Sequence, residues 1–221
     1  MTAAPLPRRV SVAPHRLAGW LGGFAERHGE PWPEVQEDRL VLRAPDGAIA
    51  SIRLVWGPLP DVGLQEGDPL SAAVDAFTRP RRIGVLIARR QAHAVGVFEG
   101  DSLVTGRHGR HYVQGRTKAG GWSQQRYARR RASQADRSFD AAAADVTAIL
   151  LPEVGRLEAL VIGGDRTAAA TVLAAPRLEP LRDPALRRGL GVFRAPDPNA
   201  TVLAGFADTF RRVRIDLNEL A

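Results

Sequence analysis

The chain has 221 residues, enough to bury a core in one domain or in one domain with a sizeable extension. Its 44% hydrophobic and 25% charged residues exclude an intrinsically disordered protein. It has no cysteine, which excludes disulfides, thiolate catalysis and the usual structural zinc sites. No apolar run is long enough to span a membrane, and the N-terminal twin arginine precedes no unbroken apolar segment. We therefore expect a cytoplasmic protein.

The formal net charge of +7 is concentrated in one segment. Between Ser102 and Ser138 there are nine lysines or arginines and one acid, Asp136. This segment therefore carries +8, and the rest of the chain sums to −1. Clustered cations are typical of nucleic-acid contacts, because phosphates release counterions on binding. A solvated, charged helix face is the alternative interpretation.

The N-terminal part of the chain predicts a helix and a hairpin. Apolar residues recur at helical spacing over residues 14–28, which predicts an amphipathic helix. The stretch RLVLRAPDGAIASIRLVW alternates apolar and polar residues around residues 45–47 and predicts a β-hairpin. A short helix is expected around residues 70–77.

Residues 80–110 predict an antiparallel meander, because three β-rich runs, RIGVLIARR, AHAVGVFEG and SLVTGRHG, are separated by tight turns. A long helix is then predicted from Ser123 to Pro152. Its first half is basic, and its second half carries apolar residues at three- and four-residue spacing, which predicts a core-facing stripe. The stripe consists of Phe139, Ala143, Val146 and Leu150.

Strands and helices alternate in the C-terminal part. RLEALVIGG, VFRA and VRIDL predict strands, and DRTAAATVLAA, DPALRRGL and ATVLAGFADTFRR predict helices. Such alternation predicts parallel strand pairing. The predicted fold class is therefore α/β, with a mixed sheet of an antiparallel meander plus βαβ units, flanked by helices. We expect an N-terminal α/β extension of residues 1–75 and a second domain of residues 76–221.

The sequence gives little support for a conventional metal or phosphate site. His108 and His111 have the spacing of metal ligands, but no third ligand is near and the flanking arginines repel a cation. VIGGDRTA could hold a phosphate at a helix N-terminus, yet a tight turn with Asp165 as N-cap is favoured. Four aspartates could form a nuclease-like site, but they fall on different predicted elements. These are Asp101, Asp140, Asp145 and Asp165. We expect neither metal nor cofactor.

The stretch KAGGWSQQRYARRR, residues 118–131, combines two glycines, two glutamines and an arginine cluster. A glutamine amide does not titrate, so it cannot be a general base, but it can hydrogen-bond a water. A backbone N–H can stabilise developing negative charge, and glycines allow close approach to a ligand. This combination favours hydrolysis in a pocket built by another molecule, such as the peptidyl transferase centre of a ribosome.

The sequence GRTKAGGWSQQRYARRRASQA resembles the glycine- and glutamine-bearing loop of Vms-like release factors, in particular their actinobacterial branch. That family is related to the catalytic domain of eukaryotic and archaeal translation termination factors. The resemblance covers roughly residues 79–217 and includes ALVIGGDRTAAATVLAAPRLEPL and RVRIDL. It implies a release-factor-like catalytic domain in residues 76–221, with the basic loop at about 114–131. It also implies peptidyl-tRNA hydrolysis that frees nascent chains from stalled large ribosomal subunits.

The Gly-x-x-Gln motif of that family matches Gly121 to Gln124, preceded by Gly120. Gln124 is the predicted catalytic glutamine, and Gln125 leaves the register open by one position. A strict Gly-Gly-Gln is absent, because two residues intervene, and Ser123 could also serve as a helix N-cap. The resemblance implies ribosomal RNA contacts from Arg116, Lys118, Trp122, Ser123, Arg126, Arg129, Arg130 and Arg131.

The implied partners are the rRNA of the large subunit and peptidyl-tRNA. We expect no membrane association and a monomer. Two other functions stay open at this point. One is a non-catalytic ribosome- or RNA-binding protein, and the other is a nuclease that uses the scattered aspartates.

Overall fold

The structure is a computed structural model that describes residues 8–36, 39–56, 69–110, 123–187 and 190–221. At Pro69 and over residues 123–136 it describes the backbone alone. The chain forms two compact units. The first unit comprises residues 1–79 together with 211–221, and the second comprises residues 80–210. The expected division at residue 76 differs from this one chiefly at the C-terminus, which returns to the first unit.

A five-stranded antiparallel sheet and two helices make up the first unit. The sheet order is β1-β10-β4-β3-β2. A 3-10 turn at Pro14–Arg16 precedes α1. The elements are β1 (Arg8–Val12), α1 (Leu17–His28), β2 (Trp32–Gln36), β3 (Arg39–Arg43), β4 (Ile49–Arg53), α2 (Pro69–Thr78) and β10 (Val213–Leu217).

The core of the first unit lies between one face of this sheet and the apolar faces of α1 and α2. Leu17, Leu21 and Phe24 of α1 are buried against strand residues such as Leu40 and Ile215. Their three- and four-residue spacing is the amphipathic pattern of the sequence, so the predicted α1 is confirmed. The predicted β3–β4 hairpin and the helix α2 are confirmed as well.

The closing strand β10 corrects one prediction. VRIDL was expected to pair in parallel with the preceding strands, but it pairs antiparallel with β1 and β4. Ile215 stands opposite Val10 on one side and Ile52 on the other. Alternation of buried and exposed residues identifies a strand, but the choice of its partner depends on packing over long sequence distances.

Two strands of the first unit, β1 and β2, were not predicted. Both lie at the edges of the sheet, and their residues are largely exposed. β2 also contains Pro33. Proline disfavours a strand in a sequence-based prediction, but it is tolerated in an edge strand. An edge strand therefore lacks the clean alternation that identifies a half-buried one.

The second unit contains a mixed sheet of order β7-β6-β5-β8-β9. β5, β6 and β7 are antiparallel, whereas β5–β8 and β8–β9 are parallel. The predicted meander, the parallel pairing of β8 and the α/β fold class are confirmed. Its elements are β5 (Arg82–Arg89), β6 (Ala92–Glu99), β7 (Ser102–Arg110), α3 (Ser123–Leu150), β8 (Ala159–Gly164), α4 (Arg166–Leu173), β9 (Val192–Phe193), α5 (Ala200–Ala204) and α6 (Ala207–Phe210).

Helices cover both faces of this sheet. On one face, Val146 and Leu150 of α3 pack with Val95 of β6 in a core that also includes α4. On the other face, Phe98 and Phe210 meet edge to face with their ring centroids 5.5 Å apart. Because β5 is covered on both sides, its residues are buried almost continuously.

Two predicted helices near the C-terminus differ from expectation. The described part of DPALRRGL forms a 3-10 turn at Pro184–Arg187 rather than an α-helix. ATVLAGFADTFRR breaks into α5 and α6, because Gly205 caps the first of them. Glycine is a poor helix former, so it ends a helix that has little else to extend it.

Candidate functional site

The predicted catalytic segment joins β7 to α3. β7 ends at Arg110, and α3 begins at Ser123. Five predicted site residues lie outside the described residues: Arg116, Lys118, Gly120, Gly121 and Trp122. Seven others lie on the described backbone of α3, with their side chains outside the description: Ser123, Gln124, Gln125, Arg126, Arg129, Arg130 and Arg131. The roles of these residues stay predictions.

The structure describes α3 from Ser123 onward, so the predicted long helix is confirmed over residues 123–150. Gln124 and Gln125 therefore lie on helical backbone. With 28 residues, α3 is about 42 Å long at 1.5 Å per residue.

The C-terminal half of α3 is fixed to the sheet. Ala143, Val146 and Leu150 are buried, and Phe139 packs beside them, so the predicted stripe is confirmed. Thr147 adds a polar contact, since its Oγ1 accepts a 2.9 Å hydrogen bond from Nε of Arg177. The helix that follows the predicted loop is thus held at one end by the core.

A polar cluster connects α3 to the two strands before the loop. Nε2 of His93 on β6 lies 2.9 Å from Oδ2 of Asp145 on α3. Nη1 of Arg107 on β7 donates to Oδ1 of the same carboxylate at 3.2 Å. We call these three residues the His93 cluster. It joins β7 and α3, the elements that enter and leave the predicted loop.

His93 occupies space that a glycine provides. It is 2% exposed and stands opposite Gly109 in the β6–β7 ladder. A Cβ on Gly109 would lie only 2.5 Å from Cε1 of the His93 ring. The absence of a side chain at Gly109, one residue before the end of β7, therefore leaves room for the imidazole that contacts Asp145 of α3.

The His93 cluster also sets the charge of Asp145. Burial acts to raise the pKa of this carboxyl, but the hydrogen bonds from His93 and Arg107 outweigh it, and the pKa lies below its ordinary value. Asp145 is therefore an ionised partner at neutral pH. It compensates Arg107, one of the nine cations of the basic segment, inside the protein itself.

The alternative aspartate site is not assembled. Asp101 lies in the β6–β7 turn, Asp140 and Asp145 lie on α3, and Asp165 precedes α4. Within the part of the chain that the structure describes, no group of three or more histidines, aspartates or glutamates could hold a metal ion. His111, which has metal-ligand spacing from His108, lies outside that part.

Asp165 is an N-cap, as favoured by the sequence. Its Oδ1 accepts from the backbone N–H of Thr167 at 2.7 Å and of Ala168 at 3.0 Å. Gly164 before it has a φ of +84°, and a Cβ there would lie 2.4 Å from the Ala88 carbonyl oxygen. The carboxylate thus occupies the place that a phosphate would need at this helix N-terminus.

Sequence reasoning missed the His93 cluster. In the sequence, Arg107 contributes only to the charge of the basic segment, Asp145 is only a candidate metal ligand, and no pattern singles out His93. The available signal was a histidine at the start of AHAVGVFEG, a run that is otherwise apolar over its buried residues. A buried histidine needs a hydrogen-bonding partner, but the sequence does not say which residue supplies it.

A family model matches residues 81–216, a range that contains the loop, α3 and the His93 cluster. It describes a class of release factors. The match spans more than half of the chain. The chain belongs to the family described as Actinobacteria/chloroflexi VLRF1 release factor. The resemblance inferred from the glycine- and glutamine-bearing loop is therefore confirmed at the level of the family.

Three solved structures are similar to this chain at low sequence identity. The archaeal translation termination factor aRF1 is 14% identical, with 76% of this chain and 49% of that chain covered and a TM-score of 0.40. A structure titled "Archaeal protein" is 16% identical, with coverages of 77% and 52% and a TM-score of 0.41. The "Vms1 mitochondrial localization core" is 7% identical, with coverages of 90% and 78% and a TM-score of 0.43.

The chain spans about half the length of the two archaeal chains. Comparison with curated proteins gives no match. Among the described helices, none combines the length and the apolar character needed to cross a bilayer.

Proposed function

We propose that this protein is a peptidyl-tRNA hydrolase that frees nascent chains from stalled large ribosomal subunits in the cytoplasm. The observation that carries the proposal is the release-factor family match to residues 81–216. That range contains the Gly-Gly-Trp-Ser-Gln-Gln segment and the arginine cluster directly after it. These two features are suited to peptide release inside an RNA pocket, which supports the proposal.

In the proposed reaction, water adds across the ester bond between the peptide and the tRNA. The water oxygen bonds to the carbonyl carbon, the bond to the ribose oxygen breaks, and that oxygen takes a proton. Gln124 positions the water through its amide, or its backbone N–H stabilises the developing negative charge.

The His93 cluster supports the proposal by joining the two elements that carry the loop. A catalytic group that acts by position alone depends on the rigidity of its support, and a displacement of about 1 Å can cost about 100-fold in rate. Asp145 holds both His93 and Arg107, so β6, β7 and α3 share one polar contact. In this proposal these residues are positioning residues, since none of them is required to touch the substrate.

The basic segment favours a second candidate, a non-catalytic ribosome- or RNA-binding protein. Its +8 charge is sufficient for binding without chemistry. Under this alternative, Arg129, Arg130 and Arg131 would contact rRNA, and the glutamines would have no chemical role.

An assay of peptide release from large subunits loaded with peptidyl-tRNA distinguishes these functions. Purified protein is incubated with large subunits that carry labelled peptidyl-tRNA, and free peptide and intact tRNA are both followed. A hydrolase frees the peptide and leaves the tRNA whole, which is the expected result. Cleaved tRNA would indicate the nuclease, and binding without release would indicate the RNA-binding protein.

A further inference from the structure

The first unit contains an open groove of about 630 Å³, where β1 leads into α1. Ser11 and Gly19 line it, as does Arg212 just before β10. His15, Arg16 and Trp20 also line it. None of these lining residues belongs to the basic segment between Ser102 and Ser138.

The charge of this groove is positive. Among the described residues that line it, none is acidic, while Arg16 and Arg212 are cationic. Arg212 donates through Nε to Ser11 Oγ at 3.3 Å, which uses one of the five N–H donors of its guanidinium. Among the described residues, Arg16 forms no ion pair that would neutralise it, whereas the neighbouring Arg9 is paired with Asp216.

The groove also offers an aromatic surface. Trp20 is half-buried, and its ring stacks on Phe24 with a centroid distance of 5.6 Å and an interplanar angle of 22°. This contact fixes the indole against the core and orients it. A fixed indole beside arginines is the combination that binds unpaired nucleotides, because bases stack on the ring while phosphates meet the cations.

We propose that this groove binds single-stranded RNA, as a contact separate from the arginine cluster of α3. The inference rests on the proposed function for the source of the RNA, which is the ribosomal subunit. An acidic peptide would satisfy Arg16 and Arg212, but it would make no use of the stacked Trp20. The combination of cations and an oriented indole therefore favours an unpaired nucleotide strand.

Gly19 gives a test that does not disturb the fold. It lies on the exposed side of α1, and a Cβ added there meets no atom within 4 Å. Gly19→Glu would place a negative charge in the groove, and glutamate is a better helix former than glycine. Gly22→Glu is the matched control, because Gly22 is an equally open position on the same helix but does not line the groove.

The probe is a fluorescein-labelled ten-nucleotide oligouridylate, with binding to the full chain followed by anisotropy at low salt. The chain carries Arg129, Arg130 and Arg131 replaced by Ala, which weakens the other expected RNA contact, and this background is the same in every groove variant. Gly19→Glu should weaken binding at least about tenfold, because like charges are brought together, whereas Gly22→Glu should leave it within about twofold. Trp20→Ala should weaken it by about fivefold to 150-fold, the effect of losing one base stack, and Trp20→Phe should restore most of the affinity.

Equal affinities for Gly19→Glu and Gly22→Glu would overturn the proposal. So would hexaglutamate binding to the groove more tightly than oligouridylate. These readouts do not depend on peptide release. If subunits release no peptide while the groove still binds oligouridylate, the proposed hydrolase fails and the groove assignment stands.

Discussion

Gly109 and His93 face each other across the β6–β7 ladder, and the imidazole occupies the space where a side chain at position 109 would lie. A Cβ on Gly109 would be 2.5 Å from Cε1 of His93, which is closer than real Cβ contacts. The ring cannot easily move away, because its Nε2 is 2.9 Å from Asp145. The glycine at position 109 thus makes room for the buried imidazole that contacts α3.

Gly109→Ala should therefore destabilise the second unit. We expect a loss of about 1–3 kcal/mol, the usual cost of overpacking a filled core. The measurement is the urea midpoint of unfolding at pH 7. Gly155→Ala is the control, because a Cβ at Gly155 meets nothing within 4 Å, and its midpoint should hardly change. Equal midpoints for both variants would show that the ring moves aside at little cost.

Asp145→Asn should lower stability in a pH-dependent way. The pKa of Asp145 is depressed in the folded protein, so its contribution is fully present above the unfolded pKa of about 3.9 and is lost as pH falls through the folded value. At pH 7 the variant should lose about 1–3 kcal/mol, as for an unsatisfied buried partner, and this deficit should shrink below about pH 4. Urea unfolding at several pH values between 3 and 7 measures it. Asp140→Asn, at an exposed position of the same helix, should differ little from the wild type at every pH.

Gln124→Ala should reduce single-turnover peptide release by no more than about 10²- to 10³-fold, because it removes one transition-state group and keeps the backbone N–H. Subunit binding should be nearly unchanged, since an uncharged residue contributes little to phosphate contacts. Gly121→Ala should be comparably harmful if that position needs close approach to the tRNA end.

Gln125→Ala is the register control for this experiment and should be the milder of the two glutamine changes. Wild-type release by Gln124→Ala together with impaired release by Gln125→Ala would shift the catalytic register by one residue. Unimpaired release by both variants would contradict the hydrolase.

Binding to large subunits should weaken steeply with salt. If roughly five cations neutralise irregular RNA phosphates, the slope of log affinity against log salt should be about −3 to −4. Replacement of Arg129, Arg130 and Arg131 by Ala should flatten it by about 2, since each lost phosphate contact removes about 0.7. Titrations between 50 and 300 mM salt would measure this, and an unchanged slope would place the main RNA contact elsewhere.

Local patterns in the sequence were sufficient to predict most of the helices and strands of the second unit. The three short apolar runs became β5, β6 and β7, and the stripe from Phe139 to Leu150 faces the core. The N-cap at Asp165 also follows from residues close in the chain. Steric preference and burial act within a few residues here, so the sequence alone carries this information. The family, too, was evident from one segment of residues.

Only the tertiary structure decided which distant elements meet. VRIDL reads as a strand in any context, but its position between β1 and β4, and hence its place in the first unit, depends on pairing across most of the chain. His93, Arg107 and Asp145 likewise lie on three elements, and no spacing in the sequence connects them. Such contacts are selected by the packing of whole faces against one another, a long-range term that no local period contains.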